Sequence, residues 1–275
     1  MKKPLPFVIA GVAALALAGA AVFLLRQNVP PAQPEPASAP PVAQPAAAAP
    51  AASEPAVKYP IEAAAAASSA AQAPDLDGAL GELFGRKAVL SLFQLEDFTR
   101  RFVATVDNLG RSQASPKLWP LNPTAGRFVA QTQAGAETIG PDNGLRYTPY
   151  VVLLESVDLP QAVAVYTRFF PQFQDAYREL GYPNGYFNDR LVEVIDQLLA
   201  APVPGEVIKV HLPPSNGLAP PPRPWVLYEF DDPALQALTA GQKLLVRMGS
   251  VNERRVKARL TELRRLLTAS SALPK

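Results

Sequence analysis

The feature that most constrains this chain is a long uncharged run near the N-terminus, LPFVIAGVAALALAGAAVFLL, which begins at Leu5 and ends at Leu25. As an α-helix with ~1.5 Å rise per residue, the run would measure roughly 30 Å, the hydrocarbon thickness of a bilayer. Lys2 and Lys3 precede it, and only Arg26 follows it directly. Because positive charge is retained on the cytoplasmic side, the sequence predicts a single-pass inner-membrane protein whose N-terminus is cytoplasmic.

A cleaved signal peptide is the alternative interpretation of the same run. Ala18-Gly19-Ala20 has the small-x-small form of a cleavage site. Cleavage there would leave Val22 and Phe23 exposed near the new terminus, and the run is long for the apolar part of a signal peptide. A retained anchor is therefore favoured, with the lipid bilayer as the partner of residues 5–25 and the remainder of the chain in the periplasm.

Residues 26–73 are dominated by proline and alanine, as in PPAQPEPASAPPVAQPAAAAP, with almost no large apolar side chains. Such a segment cannot bury enough surface to offset the entropy lost on ordering, so a disordered linker is predicted. In an extended polyproline-II conformation, at ~3.1 Å per residue, residues 28–73 would reach at most about 140 Å. The linker would separate a folded domain from the membrane without fixing its position.

Residues 74–270 are predicted to form one soluble periplasmic domain. The membrane span and the linker precede it, after a short cytoplasmic N-terminus at residues 1–4, and a disordered tail at residues 271–275 follows it. Four of the 26 basic residues and three of the 24 acidic residues precede Asp75, so the domain is nearly neutral. Nucleic-acid binding needs a clear excess of positive charge and is not expected. The chain has no cysteine, which excludes disulfides, thiolate metal sites and cysteine nucleophiles.

The domain sequence alternates amphipathic helical segments with weaker strand signals. Helices are predicted in six places, within residues 86–109, 148–149 onward, 158–180, 188–200, 232–233 onward and 250–253 onward. The signals are helical periodicity, an N-cap beside a proline, or a capping box. Pro171 is predicted to kink or divide the third of these helices. Two antiparallel pairs are predicted from residues 127–133 with 137–139 and from residues 207–212 with 225–230. The predicted fold class is mainly α, an α+β multi-helix domain with a small antiparallel sheet or hairpins.

Four segments carry a family resemblance: RRFVATVDNL at residues 100–109, YVVLLESVD at 150–158, GYPNGYFNDRLVEVIDQLLA at 181–200 and YEFDDPALQALTAGQKLLVRMG at 228–249. The chain resembles the bacterial domain-of-unknown-function family 3014 from about Lys58 to the C-terminus. The resemblance implies a proteobacterial envelope protein with an N-terminal span and a low-complexity linker. It implies no catalytic residues, since the family has no established activity.

The densest polar cluster lies just before the predicted helix at residues 188–200. One interpretation is a recognition loop for an anion or a carbohydrate, with tyrosines for stacking and a helix N-terminus nearby. Its binding residues would be Tyr182, Asn184, Tyr186, Asn188, Asp189 and Arg190, joined by Arg101 from an earlier helix. The favoured interpretation is structural: Pro-Asn-Gly forms a turn, Asn188 or Asp189 caps the helix, and the aromatic residues pack inward.

Asp189, Glu193 and Asp196 would lie on one face of that helix. Such a stripe supplies an acid/base pair for glycan chemistry, and these residues are the catalytic candidates if the protein is an enzyme. A solvated face, or pairing with Arg100 or Arg101, is the favoured interpretation. No metal site and no cofactor is predicted, because no second element offers ligands and the phosphate, dinucleotide and hydrolase motifs are missing from the sequence.

Two further features are weaker candidates. His211 is the only histidine, and its strand-like setting shows no neighbouring Ser or Asp arranged for a triad. The last predicted helix carries six basic side chains beside an apolar stripe, so anionic lipid is one ligand for it, and a solvated face is the favoured alternative.

The sequence thus favours a non-enzymatic protein, anchored in the inner membrane, whose domain binds another envelope protein or a cell-wall component. A carboxylate-dependent enzyme acting on cell-wall glycan is the second hypothesis, and a membrane-surface module is the third. The oligomeric state is not constrained by the sequence.

Overall fold

The computed structural model describes residues 56–61, 75–205, 207–214 and 223–269. The predicted span at residues 5–25, most of the predicted linker and the predicted tail at 271–275 lie outside these residues. Within the described part of the chain, no helix is both long and apolar enough to cross a membrane.

Helices dominate the domain. In chain order they are α1 (Leu76–Phe84), α2 (Arg86–Leu92), α3 (Phe98–Leu109), α4 (Thr148–Ser156), α5 (Leu159–Glu179), α6 (Phe187–Leu199), α7 (Pro233–Gln236), α8 (Ala240–Arg247) and α9 (Gly249–Ala269). Short 3-10 helices lie at Pro116–Leu118, Pro141–Tyr147 and Pro224–Val226. The stretch 86–109 forms two helices because Asp97 adopts a left-handed conformation, with φ of 53°, between them.

The strands form two short antiparallel pairs, as predicted; three of them are shorter than predicted, and β2 begins one residue earlier. Strand β1 (Ala130–Gln133) pairs with β2 (Ala136–Ile139) across the turn at Ala134-Gly135, in the register Ala130 to Ile139. Strand β3 (Val210–His211) pairs with β4 (Glu229–Phe230). A bridge between Thr138 and Lys209 joins the two pairs. The prediction of a mainly helical domain with a small antiparallel sheet is confirmed.

The predicted helix starts are partly confirmed. Asp158 and Asp232 cap α5 and α7 by accepting hydrogen bonds from the backbone N–H groups of Gln161 and Ala234. The capping box predicted at residues 250–253 is wrong, since α9 already begins at Gly249; Thr239 and Gln242 form the box instead, at the start of α8. Glu253 is fully buried within α9, where its carboxylate lies 2.9 Å from Nζ of Lys257.

Two other predicted boundaries are corrected by packing. Helix α5 continues through Pro171 to Glu179, so the proline does not divide it. Phe169, Phe170 and Phe173, on both sides of that proline, are buried in the main core and hold the two halves in one helix. Thr148 lies inside α4 and does not cap it.

The main hydrophobic core lies among α3, α5, α6 and the end of α9. Its aromatic rings form a continuous set of contacts, in which Phe187 packs against Phe102, Phe173 and Tyr177 at centroid distances of 5.5–6.2 Å. Smaller apolar clusters lie around Leu80 in α1 and around Leu245 in α8. This core fixes the start of α6, where the sequence places its candidate site.

Candidate functional site

The turn before α6 is held by the buried side chain of Gln174. Its amide Nε2 donates to the carbonyl oxygen of Gly185 at 2.8 Å, and its Oε1 accepts from the backbone N–H of Phe187 at 2.9 Å. A Cβ at Gly185 would lie 2.7 Å from the ring of Tyr177, so the turn approaches the core too closely for a side chain at this position. The backbone at the start of α6 is therefore pinned to α5.

The prediction that Asn188 or Asp189 caps α6 is wrong. The helix begins one residue earlier, at Phe187, and Tyr186 occupies the N-cap position without a side-chain capping bond. Asn188 and Asp189 lie in the first turn, and their side chains bind a different part of the chain.

That partner is the stretch of residues 56–61, which we call the docked segment and which falls inside the predicted linker. Both carboxylate oxygens of Asp189 accept backbone hydrogen bonds from it, Oδ2 from Lys58 at 2.9 Å and Oδ1 from Tyr59 at 2.8 Å. The hydroxyl of Tyr186 accepts from the backbone N–H of Ile61 at 2.7 Å. The amide of Asn188, 0% exposed, donates to the carbonyl oxygen of Tyr59 at 2.8 Å.

The side chains of the docked segment alternate between solvent and core. Ile61 is buried in the main core and Tyr59 packs against it, whereas Lys58 and Pro60 are exposed. Backbone hydrogen bonds combined with alternating side-chain insertion is the way in which proteins recognise an extended peptide. Three of the predicted binding residues thus bind the chain itself.

Two more predicted binding residues surround Asp107, a buried carboxylate on α3 that is only 3% exposed. The guanidinium of Arg190 lies 3.1 Å from one carboxylate oxygen, and that of Arg111 lies 2.6 Å from the other. The hydroxyl of Tyr182 donates to Asp107 at 3.2 Å. Because a buried charge is costly without partners, this cluster satisfies a structural requirement. Asp107 lies far from the loop along the chain, so no local pattern in the sequence links the two.

The last two predicted binding residues do not join a common site. Arg101 donates to the backbone carbonyl oxygens of Glu96 and Lys117, at 2.9 Å and 2.8 Å, away from the start of α6. Asn184 is exposed and lines an open groove of about 600 Å³ beside the docked segment and along α6. Tyr186, Asp189 and Glu193 line the same groove.

Each carboxylate of the predicted stripe has a partner. Asp189 accepts from the docked segment, Glu193 accepts from Arg190 at 3.0 Å, and Asp196 accepts from Arg264 of α9 at 3.0 Å. The partners are therefore not Arg100, which pairs with Glu179, nor Arg101. Among the residues that the structure describes, no group of three or more acidic or histidine side chains is placed to hold a metal ion.

The tyrosines near the site are held in their neutral form. Burial, reinforced by the negative charge of Asp107, raises the pKa of Tyr177 to about 12. Burial also raises the pKa of Tyr186, although the hydrogen bond from Ile61 acts in the opposite direction. At neutral pH these phenols are donors and acceptors of hydrogen bonds and not bases.

His211 has an acidic neighbour that the sequence did not reveal. Its Nδ1 lies 2.6 Å from the carboxylate of Asp231, and both side chains are close to half exposed. The pairing of β3 with β4 brings them together across 20 positions of sequence. The sequence showed no neighbouring Ser or Asp arranged for a triad, and the strand pairing supplies an acidic partner from further along the chain.

A second cavity, which we call the apolar cavity, measures about 470 Å³ and is lined almost wholly by carbon. Its walls come from α1, α3, α4, α5, α8 and α9 and from the segment before Asn122. Phe98 and Phe173 line one part of it, and Met248 and Val256 line another. Sequence reasoning missed this cavity, because its residues are ordinary core residues spread over most of the domain.

The family model described as "Protein of unknown function (DUF3014)" matches residues 98–264, more than half of the chain. The chain belongs to this family, and the resemblance seen in the sequence is confirmed. No curated protein and no solved structure matches the chain. The matched range includes the start of α6, Asp107 and both strand pairs, whereas the docked segment, α1 and α2 precede it.

Proposed function

We propose that this chain is a non-enzymatic interaction protein of a proteobacterial envelope, anchored in the inner membrane by residues 5–25. Its N-terminus is cytoplasmic, and its folded domain binds another protein or a cell-wall component in the periplasm. The observation that carries the proposal is that most of the candidate polar side chains bind other parts of the same chain. The side chains of the loop and of the α6 stripe form hydrogen bonds with the docked segment, with Asp107 and with α9. Such residues fix a binding module to its tether and leave no unpaired carboxylate in the stripe for catalysis.

The groove beside the docked segment is the surface that we assign to the partner. It presents the rings of Tyr59 and Tyr186 together with the exposed side chains of Asn184 and Glu193. Aromatic residues are enriched at protein interfaces because they offer a large rigid area and a polar tip. A protein partner therefore suits this groove.

The partner is tested by site-specific photocrosslinking in living cells. A photoreactive residue at Asn184 of the full-length chain should give a discrete crosslinked species in the membrane fraction. The matched control is Glu82, an exposed position on α1. Repeated absence of a species at Asn184, or the same species at both positions, would contradict the assignment.

The anchor is tested separately. The full-length chain should stay in the membrane pellet after alkaline carbonate extraction, and protease added to spheroplasts should digest the domain. A chain recovered in the soluble fraction after gentle lysis would overturn the anchor and the topology together.

The glycan-cleaving alternative is tested with purified cell-wall sacculi. A carboxylate mechanism needs one carboxyl group to donate a proton and another to act as base or nucleophile, whereas Asp189, Glu193 and Asp196 all have partners. We expect the protein to leave muropeptides unchanged. Release of muropeptides by the wild type, and its loss in Glu193→Gln, would contradict a non-enzymatic function.

The membrane-surface alternative rests on the basic face of α9. Arg255 pairs with Glu155, Arg259 pairs with Glu262 and Arg264 pairs with Asp196. Since these guanidinium groups already face carboxylates, the face offers less positive charge to anionic lipid than the sequence implies. We therefore do not include lipid docking through α9 in the proposed function.

A further inference from the structure

Side chains of three hydrophobic clusters line the apolar cavity. Phe173 belongs to the main cluster, Leu80 to the cluster of α1, and Met248 to the cluster of α8. Partly buried side chains join these clusters at their edges: Phe102 packs against the first two, and Leu198 packs against the main cluster and that of α8. The side chains of the described residues nevertheless surround an apolar space of about 470 Å³ between the clusters.

We propose that the apolar cavity binds one acyl chain of an uncharged single-chain lipid. Its volume of about 470 Å³ lies within the range of roughly 300–1,000 Å³ that small-molecule sites span. It is roughly three times the ~150 Å³ apolar cavity that is known to take up benzene. No Asp, Glu, Lys, Arg or His is among the described residues that line it. An acyl chain would fill the apolar space that the three clusters surround.

Trp119 supplies the polar contact for such a ligand. Its side chain lines the cavity, and its indole Nε1–H is buried with no acceptor in reach among the described residues. A buried indole N–H normally has a hydrogen-bond partner. The carbonyl oxygen of an acyl ester provides one and accepts this hydrogen bond.

The lining of the cavity disfavours a charged headgroup. It includes no Lys, Arg or His among the described residues, so the free carboxylate of a fatty acid would be buried without a lining cation, which is unfavourable. Leu76 and Phe98 also line an acidic surface groove with five carboxylates, of which Glu179 pairs with Arg100 and Asp175 with Arg178. An uncharged ester therefore suits the cavity better than a carboxylate.

The probe is a long-chain monoacylglycerol that carries a diazirine on its acyl chain, incubated with the full-length protein in phospholipid nanodiscs. Irradiation should label peptides of α1 and α4, both of which line the cavity. Label confined to residues 5–25 would overturn the proposal. A chain that fails to enter nanodiscs contradicts the proposed anchor and not this site, because the same labelling is then expected in solution.

Ala162→Phe tests the cavity directly, because Ala162 lines it from α5 and a larger side chain would fill it. Labelling of α1 and α4 should fall at least tenfold. Ala164→Phe, at an exposed position two residues further along the same helix, should label like the wild type. Filling a cavity does not lower stability when the new side chain fits, so the Tm of Ala162→Phe should stay level or rise. Wild-type labelling in a folded Ala162→Phe would overturn the site.

Trp119→Phe tests the headgroup contact. Loss of the indole donor should lower labelling by the ester probe about tenfold, the factor expected for one hydrogen bond. An ether-linked analogue lacks the carbonyl, so the substitution should leave its labelling unchanged. A fatty acid with the same diazirine should label weakly. Equal labelling by the fatty acid, or equal losses for ester and ether, would contradict the proposed ligand chemistry.

Discussion

The start of α6 and the apolar cavity are opposite kinds of region. Around α6, Asp107, Asn188 and Asp189 are all met by partners at hydrogen-bond distance. Around the cavity, three apolar clusters surround an apolar space, and the indole N–H of Trp119 lacks an acceptor among the described residues. The carboxylates that suggest chemistry have partners within the chain, whereas the ordinary core residues around the cavity leave space for a ligand.

This difference shows that reactive residue types alone do not identify a ligand site. Polar side chains in a folded domain need partners, and the chain supplies them wherever it can. A site that is open to a ligand is recognised by buried polar groups or apolar surfaces that have no partner within the chain. If the contrast holds, substitutions at the start of α6 should lower stability more than substitutions of the residues that line the cavity.

The largest effect on stability is expected at Asp107, beside the start of α6. Asp107→Ala would leave Arg190, which is largely buried, without its buried counter-charge and should lower the free energy of unfolding by about 4 kcal/mol. Urea unfolding measures this. Asp175→Ala, in an exposed pair with Arg178, is the control and should cost under about 1 kcal/mol. Equal losses would contradict a structural role for Asp107.

A matched pair of leucines compares the two regions through packing. Leu191 on α6 is 8% exposed in the main core, and Leu80 on α1 is 5% exposed beside the cavity. Leu191→Ala should cost about 3 kcal/mol in free energy of unfolding, the middle of the usual range. Leu80→Ala should cost roughly half as much, since a side chain facing a cavity makes fewer contacts. Equal costs would mean that the region around Leu80 is as closely packed as the core.

Asp189→Ala should release the docked segment. The substitution removes the acceptor of two backbone hydrogen bonds and should lower the free energy of unfolding by about 2 kcal/mol. Hydrogen exchange at Lys58 and Tyr59 should become faster. If exchange there is unchanged while the domain remains folded, the two hydrogen bonds do not hold the segment.

Alkaline pH should lower the stability that Tyr177 contributes near the start of α6. Because folding raises the pKa of Tyr177 from its usual value near 10 to about 12, the folded state favours the neutral phenol. That contribution is fully present below pH 10 and is lost as the pH rises toward 12. Tyr177→Phe should therefore lose less stability than the wild type between these values. Thermal unfolding across that window measures the difference, and parallel curves would contradict it.

The smallest effect is expected at Glu193, the exposed member of the stripe. Glu193→Gln keeps the shape of the side chain and weakens one exposed pair with Arg190, so the free energy of unfolding should change by less than about 0.5 kcal/mol. Denaturant unfolding of Glu193→Gln and of Asp189→Ala, under the same conditions, measures the two losses in free energy of unfolding. A loss as large as that of Asp189→Ala would mean that the stripe acts as one unit.

The sequence predicted the parts of the fold that local chemistry controls. The caps at Asp158 and Asp232, the turn at Ala134-Gly135 and the periodicity of α6 each depend on neighbours within a few residues. Contacts between distant segments were not accessible in this way. Asp189 bonds to Lys58 across 131 positions, and His211 meets Asp231 across 20.

The composition of a segment was also an incomplete guide. Residues 56–61 sit in a Pro/Ala-rich stretch that favours disorder, yet Tyr59 and Ile61 are enough to join the core once α6 offers acceptors for their backbone. The apolar cavity carries no local signal at all, because it depends on how closely six helices approach. Long-range geometry, and not residue type, separates these features from those that were predicted.

The docked segment also determines where tension on the chain enters the domain. A pull from the N-terminal side reaches α6 through the hydrogen bonds at Lys58, Tyr59 and Ile61 before it reaches α1. The contact at Asp189 is therefore the first point at which a pull on the N-terminal side of the chain would load the folded domain.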